Sequence, residues 1–306
     1  IKMSTQTPIL EMSLTELVDG IHQGNLQADV VSQTYIDQAL AAKENNSFLC
    51  YSDTADLAKA SLEHKDKPLA GLPIAHKDLF CTQALPTTCG SKMLAGFMSP
   101  FDADIVESTA EAGAVLLGKT NMDEFAMGSS TENSSFGPTK NPWDYDYVPG
   151  GSSGGPAAAI SAGFAAFSLG SDTGGSIRQP ASLCGVTGLK PSYGVVSRYG
   201  LIAFGSSLDQ IGPFTNNVED SALILNAIKG RDENDPTSKD FDKDLFLDQI
   251  EDFKNLKIGI PKEYFPETLD KEIKNKIPEK LNQSTNPQDL AFQMKAILEH
   301  LSKDKD

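Results

Sequence analysis

The sequence predicts an α/β fold in which helices cover both faces of a β-sheet, with a helical arm at the N-terminus. Strand-like and helix-like segments alternate along the chain from about residue 69, and such alternation is typical of a sheet flanked by helices. The chain has 306 residues, of which 39% are hydrophobic and 22% are charged. This length and composition are typical of a globular protein with a large core and one or two domains.

The N-terminal arm, assigned to residues 1–65, is predicted to be helical. Within residues 10–45, apolar side chains recur at helical spacing on one face, at Leu14, Leu17, Val18 and Ile21. Ser13 or Thr15 is expected to cap this helix. A second helix is expected over about residues 29–44, after the break at Gly24 and Asn25.

The α/β core is assigned to residues 66–277. Residues 69–75 are predicted to form a strand, and residues 104–112 a helix that ends at Gly113. The apolar run over residues 114–118 indicates a buried strand, and the alanine-rich run over residues 156–166 indicates an apolar helix.

The charges of residues 230–256 indicate an exposed loop followed by a short helix. A C-terminal segment is assigned to residues 278–306. Within it, residues 287–301 are predicted to form an amphipathic helix with one apolar stripe, made of Leu290, Met294, Ile297, Leu298 and Leu301.

The overall charge and the cysteines restrict the class of function. The formal net charge is −16, which argues against direct, nonspecific binding of nucleic acid. The sequence contains no apolar run of transmembrane length and no secretory signal peptide. The four cysteines, Cys50, Cys81, Cys89 and Cys184, lack the spacing of a zinc site. We expect them to be free thiols in a reducing compartment, and the protein to be cytoplasmic and without a membrane partner.

Two glycine-rich runs each place a serine among small neighbours. Residues 149–155 read PGGSSGG and contain Ser152, and residues 172–178 read DTGGSIR and contain Ser176. Glycine permits conformations that turn backbone N–H groups toward a common point, and it lets a substrate approach closely. No lysine follows in the pattern of a phosphate-binding P-loop. A flexible turn is the ordinary alternative for such runs.

Lys77 ends a short apolar run, in residues 71–78 with the sequence GLPIAHKD. A lysine drawn into an apolar site has a lowered pKa, because burial disfavours the charged ammonium. Such a lysine can act as the base for a hydroxyl group. An ordinary surface lysine is the alternative. His76 is the best histidine for a Ser–His–Asp triad, but we interpret it as structural.

These three segments resemble the amidase signature family, which uses a Ser–Ser–Lys triad, and their spacing along the chain matches that family. The resemblance implies that Ser176 is the nucleophile and Lys77 the base, while Ser152 relays the proton and is preceded by a cis peptide bond. It also implies a mixed sheet covered by helices. Pro156 departs from the family, which usually has a small residue there, and we interpret it as the opening of the following helix.

The same resemblance implies further site residues. Backbone N–H groups of four consecutive residues would form an oxyanion hole, which stabilises the charge of a tetrahedral intermediate: Thr173, Gly174, Gly175 and Ser176. Ser129 is a candidate for lining the substrate pocket, whereas Phe125 and Met127 are expected in the core. Asp172, Arg178 and Asp209 are expected to form buried structural ion pairs.

Residues 118–130, 197–204 and 206–213 more closely resemble one branch of that family, the A subunits of the aspartyl/glutamyl-tRNA amidotransferases. Residues 257–265 continue this match, which covers residues 10–275 and stops after about residue 277. The family continues much further. We therefore expect either a truncated chain or one with missing segments.

This closer resemblance implies that the protein hydrolyses glutamine and releases ammonia for the amidation of Glu-tRNA(Gln) or Asp-tRNA(Asn). The implied partners are subunits B and C in a heterotrimer, with tRNA contacted indirectly through a partner. The A subunit itself would need no cofactor and no metal, and ATP and magnesium would bind at the partner subunit. The alternatives are a free-standing amidase acting on another small amide, and a non-catalytic scaffold subunit of the same assembly.

Overall fold

The computed structural model describes residues 8–241, together with 263, 266–271 and 274–275. The chain divides into two compact units, residues 1–242 and 243–306, and every element described below lies in the first. The boundary expected at residue 277, the matched residues 257–262 and the helix predicted over residues 287–301 lie outside the described residues.

The described residues form a mixed sheet of six strands in the order β1-β3-β2-β4-β6-β5. The strands are Phe48–Tyr51 (β1), Pro73–Lys77 (β2), Val115–Thr120 (β3), Phe167–Asp172 (β4), Thr187–Gly188 (β5) and Gln210–Thr215 (β6). The central strand β2 runs parallel to β3 and β4, while β1, β6 and β5 pair antiparallel with their neighbours. The predicted mixed sheet is therefore confirmed.

Seven α-helices accompany this sheet within the described residues. They are Leu14–His22 (α1), Ala28–Ala41 (α2), Thr54–Glu63 (α3), Asp104–Glu111 (α4), Gly154–Ser161 (α5), Arg178–Cys184 (α6) and Val218–Ile228 (α7). The α/β class predicted from the sequence is confirmed. In the described part of the chain, no helix is both long and apolar enough to cross a membrane.

Helix α1 is capped by Ser13, one of the two residues expected to cap it, and the cap is a capping box. The Ser13 hydroxyl accepts a hydrogen bond from the Glu16 N–H, and the Glu16 carboxylate accepts one from the Ser13 N–H. Ser13 is thus the cap. The apolar face of the helix is buried as expected, at Leu14, Leu17, Val18 and Ile21. The arm is not purely helical, however, because β1 lies within residues 1–65 and pairs with β3.

Three of the predicted elements are present in the structure, but they begin or end at other residues than predicted. The strand predicted over residues 69–75 begins at Pro73 and continues to Lys77, and the strand predicted over residues 114–118 continues to Thr120. Turn hydrogen bonds occupy residues 69–72, where Leu72 N donates to Leu69 O. Helix α5 begins two residues before Pro156. Proline is tolerated in this first turn because the first N–H groups of a helix have no partner within it.

The interior is formed where α5 packs on the sheet. Ala157, Ala158 and Ala159 are fully buried, and the small side chains let the helix approach β2 and β4 closely. Phe167 and Phe214 are fully buried on β4 and β6. Cys81, Cys89 and Cys184 are buried, Cys50 is half-buried, and all four thiols are free as expected.

Candidate active site

The candidate site lies where three parallel strands end. Strand β2 ends at Lys77, β3 at Thr120 and β4 at Asp172. Strands β2 and β4 pair in parallel register, with Ile74 opposite Phe167. Because the carboxyl ends of parallel strands meet at one edge of a sheet, the residues that end or follow these strands come together there.

Lys77 is fully buried, and its environment fits a base. Its Nζ atom lies 2.7 Å from Ser152 Oγ and 2.9 Å from Ser171 Oγ, so it donates to two buried hydroxyl groups. Burial lowers the pKa of Lys77 to about 7, although the charges of Asp123 and other nearby groups oppose this shift. An amine with this pKa exchanges a proton near neutral pH, which is what general-base chemistry needs. The surface-lysine alternative is excluded.

The first glycine-rich run is a fixed loop rather than a flexible turn. The Gly151–Ser152 peptide bond is cis, as the family resemblance implies. The Gly151 N–H donates to Gln179 Oε1 at 2.9 Å, and the Gly154 N–H donates to Thr131 Oγ1 at 3.0 Å. The Ser152 carbonyl accepts the N–H of Asp123 at 3.2 Å. These bonds hold the Ser152 hydroxyl against Lys77.

The second glycine-rich run is held by one carboxylate. Asp172 accepts hydrogen bonds from the backbone N–H groups of Gly175 at 2.7 Å and Ile177 at 3.2 Å. The Arg178 guanidinium binds the same carboxylate through Nε at 2.9 Å and Nη2 at 3.0 Å. Burial alone would raise the pKa of Asp172, but the hydrogen bonds from Arg178, Gly175 and Ile177 lower it overall. The loop that carries Ser176 is therefore fixed around an ionised side chain.

The three predicted ion-pair residues behave differently from one another. Asp172 and Arg178 do form an ion pair, but the Arg178 side chain is 53% exposed rather than buried. Asp209 forms no salt bridge within the described part of the chain. Its carboxylate instead accepts the Thr173 hydroxyl and the backbone N–H groups of Phe204 and Gly205. Three uncharged N–H or O–H donors therefore stabilise the Asp209 carboxylate without a cation. Its contact with Thr173 fixes the start of the second glycine-rich run.

A cleft of about 530 Å³ opens beside both glycine-rich runs. It brings together most of the residues that the sequence singles out, and its lining consists of Ala126, Met127, Gly128, Ser129, Gly151, Thr173, Gly174, Gly175, Ser176, Gln179 and Phe204. Among the described residues, no charged side chain belongs to this lining. Lys77 and Ser152 lie beneath its surface, since both are fully buried.

Ser129 lies in the cleft as expected, whereas the placement of Met127 in the core is wrong. The Met127 side chain is 60% exposed and faces the cleft. The backbone turns immediately before it, with positive φ angles of 51° at Phe125 and 60° at Ala126. This turn directs Met127 to the cleft instead of the core. Phe125 is half-buried.

The predicted oxyanion donors divide into two groups. The N–H groups of Thr173, Gly174 and Ser176 have no hydrogen-bond partner among the described residues, and all three residues line the cleft. The Gly175 N–H is different, because it is bound to Asp172. Gly175 has φ = +121°, a conformation that glycine alone adopts readily. This corrects one predicted donor: Gly175 shapes the loop, and its N–H holds Asp172.

Ser176 is half-buried, and its hydroxyl makes no hydrogen bond within the residues that the structure describes. The structure thus contains the Lys77–Ser152 contact of the predicted triad, while the Ser176 hydroxyl stands unpaired in the cleft. Catalytic hydrogen bonds are often long or absent without substrate and form only in the reacting complex. Ser176 therefore has the accessibility that a nucleophile needs, and Gly151, the neighbour of Ser152, lines the same cleft.

Two residues of the site escape the sequence analysis. Ser171 provides the second hydroxyl at Lys77. It is a polar residue near the end of an apolar strand, the same signal that identifies Lys77. Gln179 joins the two walls of the cleft, because its Oε1 accepts the Gly151 N–H and its Nε2 donates to Ser129 O at 3.0 Å. No local pattern marks Gln179.

His76 makes no hydrogen bond to Lys77, Ser152 or Ser176 among the described residues. It is buried, and burial together with the charge of Lys119 lowers its pKa to about 3, so its ring is neutral. The ring meets Phe80 edge-on, with centroids 6.0 Å apart. Lys119 itself forms a buried ion pair with Asp78, Nζ to Oδ1 at 3.3 Å. This second buried lysine is paired with a carboxylate, whereas Lys77 is bound only to hydroxyl groups among the described residues.

Comparison with known proteins identifies the family of the chain. The sequence profile of the family described as Amidase matches residues 30–286. The A subunit of the glutamyl-tRNA(Gln) amidotransferase of Methanosarcina mazei is 50% identical over 268 residues, which are 87% of this chain and 56% of that relative. The A subunit of the glutamyl-tRNA(Gln) amidotransferase of Carboxydothermus hydrogenoformans is 61% identical over 211 residues, which are 69% of this chain and 44% of that relative.

The fold comparison gives the same result. The crystal structure of the A subunit of the glutamyl-tRNA(Gln) amidotransferase from Thermotoga maritima has a TM-score of 0.67 at 44% identity, covering 78% of this chain and 51% of that chain. The chain spans about half the length of the relatives it matches. Because the family profile matches most of the sequence, and the fold agrees with that of a solved relative, this chain belongs to the amidase family.

Proposed function

We propose that this chain is the glutamine-hydrolysing A subunit of a tRNA-dependent amidotransferase. The observation that carries the proposal is the buried Lys77–Ser152 contact beside the cleft that contains Ser176. The names of the relatives, which are 50% and 61% identical to the chain, supply the substrate class. The released ammonia would convert Glu-tRNA(Gln) to Gln-tRNA(Gln), or Asp-tRNA(Asn) to Asn-tRNA(Asn).

In the proposed reaction, Ser176 Oγ attacks the carbon of the glutamine side-chain amide. The Ser176 proton passes to Ser152 Oγ, and the proton of Ser152 passes to the amine of Lys77. The N–H groups of Thr173, Gly174 and Ser176 stabilise the oxyanion. The proton then returns through Ser152 to the leaving nitrogen, so that ammonia departs and an acyl-serine remains. Water hydrolyses this ester by the same route and releases glutamate.

The proposal extends to an assembly. Subunits B and C would complete a heterotrimer, in which a partner binds ATP and magnesium and activates the acyl-tRNA. This chain would contact tRNA only indirectly, and the assembly would work in the cytoplasm. The chemistry of the cleft requires no cofactor, because a serine, a lysine and backbone donors suffice for amide hydrolysis.

A substitution of the nucleophile tests the proposal in the assembled complex. Ser176→Ala should reduce ammonia release from glutamine by on the order of 10⁴-fold or more, as expected for a lost nucleophile. Ammonium chloride should restore tRNA amidation in this variant, because the partner performs that step. Ser192→Ala, which removes an exposed serine hydroxyl, is the matched control and should retain activity. Comparable ammonia release by Ser176→Ala would refute the assignment.

One observation favours a second candidate, a free-standing amidase acting on a neutral amide. Glutamine carries a carboxylate and an ammonium group, yet no charged side chain lines the described cleft. For glutamine, the groups that bind these charges must come from outside that lining. Comparing kcat/KM for glutamine with that for butyramide distinguishes the two, since a neutral-amide amidase prefers the uncharged substrate. A non-catalytic scaffold is disfavoured by the intact contact between Lys77 and Ser152.

A further inference from the structure

Asp123 is a buried carboxylate that the proposed mechanism does not use. It lies in the segment after β3 and is fully buried. Its Oδ1 atom accepts the Asn133 N–H at 3.3 Å. Its Oδ2 atom, also buried, has no hydrogen-bond partner among the described residues. Such an atom is costly to bury unless another charge compensates it.

This carboxylate lies directly beneath the floor of the cleft. A Cβ atom built at Gly151 would come within 2.1 Å of Asp123 Oδ2, and one built at Gly128 within 2.4 Å of Asp123 Cγ. Both glycines line the cleft. The Asp123 N–H also donates to the carbonyl of Ser152. Two glycines therefore leave room for this side chain next to the proton-relaying serine.

Within the part of the chain that the structure describes, Lys77 is the buried cation that lacks a carboxylate in contact. Four acidic groups act on it from the elements packed around it: Asp123 after β3, Cys89 in the loop after β2, Asp172 at the end of β4 and Asp209 before β6. Burial raises the pKa of the Cys89 thiol to about 12, so this thiol is neutral near pH 7. The charge on Lys77 is thus balanced by the three carboxylates.

These carboxylates differ in how far other groups compensate them. Asp172 binds Arg178 and backbone N–H groups, and Asp209 accepts the Thr173 hydroxyl and two N–H groups. Asp123 accepts one N–H and leaves one oxygen without a donor among the described residues. Its charge is the least neutralised of the three, and it is also the strongest of the charges that favour the ammonium form of Lys77.

We propose that Asp123 is a positioning residue whose carboxylate is the through-space counter-charge of Lys77, balancing the ammonium formed when Lys77 takes up a proton. The catalytic part of this inference rests on the proposed function, because that function gives Lys77 its role as proton acceptor. During the reaction Lys77 gains one positive charge, and no proton is transferred to Asp123. The proton later returns through Ser152 to the leaving group.

The first test measures the reaction of Ser176 with a fluorophosphonate probe as a function of pH. The 306-residue chain is used, and no glutamine is needed, so the result does not depend on the identity of the substrate. Asp123→Asn keeps the shape of the side chain and removes its charge. An opposite charge favours the charged form of lysine, so removing the Asp123 charge lowers the pKa of Lys77. The acid limb, meaning the range in which the labelling rate falls as the pH decreases, should therefore move about 1 pH unit lower.

At pH 6, the labelling rate relative to its plateau should therefore rise about fivefold in Asp123→Asn. Asp146→Asn, which removes an exposed carboxylate, is the control and should leave the acid limb in place. An unchanged limb in Asp123→Asn overturns the proposal. A limb that moves equally in both variants overturns it too, because the effect would then reflect overall charge.

The second test needs no catalysis and measures thermal unfolding in a double-mutant cycle. Asp123→Asn is made in the wild-type chain and in Lys77→Met, where the carboxylate has lost its counter-charge. The substitution should lower Tm in the wild type and should raise it, or leave it unchanged, in Lys77→Met. Failure of Asp123→Asn to fold, together with recovery of folding in the double variant, supports the proposal. Equal changes in both backgrounds overturn it.

Discussion

The Nζ atom of Lys77 lies 2.7 Å from the Oγ atom of Ser152, and neither side chain has access to solvent. A proton that moves between these two atoms does so in a dry environment of low polarity. The free energy of this transfer is therefore set by the protein groups around Lys77 rather than by water. Burial of the amine and the charges nearby determine when Lys77 can accept a proton.

We expect Lys77 and Ser152 to act as one unit with Ser176. Lys77→Ala and Ser152→Ala should each reduce kcat by several orders of magnitude, and the double variant should lose little more, because removing either residue interrupts the same proton path. The measurement is kcat for amide hydrolysis by the assembled protein, with all variants checked for native circular dichroism. Independent losses that multiply in the double variant would contradict a coupled triad.

The rate should depend on pH through Lys77. Because the pKa of Lys77 is lowered to about 7, the fraction of neutral amine rises as pH increases through 7. Amide hydrolysis should therefore increase over this range and level off above it. A pH–rate profile from about pH 5 to about pH 9 measures this. An acid limb near pH 4 would instead assign the base to a carboxylate.

Stability should also reveal the lowered pKa of Lys77. In the unfolded chain this lysine holds its proton up to about pH 10.5, whereas in the folded chain it loses it near pH 7. Between these values the unfolded state binds more protons, so the free energy of unfolding should rise with pH. Lys77→Met should remove this rise. Urea unfolding at pH 7 and pH 10 in both proteins provides the measurement, and equal slopes would show that the native pKa is not lowered.

Gln179 should be important for the shape of the cleft. Its amide accepts the Gly151 N–H and donates to Ser129 O. Gln179→Glu retains the acceptor, but it loses the donor and directs a carboxylate at a carbonyl. One such lost hydrogen bond is worth about 1–3 kcal/mol, so kcat/KM should fall by about 10-fold or more.

The control for this prediction is Gln83→Glu. Gln83 is exposed, and its side-chain amide donates to Pro100 O away from the cleft. Gln83→Glu makes the same chemical change as Gln179→Glu, but at a residue that does not contact the two glycine-rich runs. Equal kcat/KM values for the two variants would show that the bridge to Gly151 and Ser129 has no functional role.

The isolated chain should not bind tRNA tightly. Phosphate backbones are bound through Lys and Arg, with a clear dependence on salt. The sequence contains 42 Asp and Glu residues against 26 Lys and Arg, and its net charge is −16. A titration of labelled tRNA with the chain at low salt should show no sub-micromolar, salt-sensitive binding. Such binding would indicate a basic surface and would overturn the proposed division of labour in the assembly.

The sequence alone identifies the residues whose chemistry is local. A lysine at the end of an apolar run is buried wherever that run becomes a central strand. A serine among glycines has small neighbours, whether it is half-buried like Ser176 or fully buried like Ser152. Together with the resemblance to the amidase signature family, these patterns allowed Lys77, Ser152 and Ser176 to be predicted along with the α/β class. A cap at Ser13 or Thr15 and the apolar face of α1 depend on residues only three or four positions apart, so they too could be predicted.

The tertiary structure alone decides which groups meet across the sheet edge. Ser171 lies 94 residues from Lys77, and Gln179 lies 28 and 50 residues from its two partners. Nothing in a local pattern specifies such pairs, because they depend on the order and direction of the strands. The same holds for Asp123, which lies beneath Gly151. The Gly175 N–H, by contrast, binds Asp172 only three residues away, a local contact that the sequence analysis did not anticipate. Sequence determines which side chains can do the chemistry, and the parallel ends of β2, β3 and β4 determine which of them are brought close enough to share a proton or a charge.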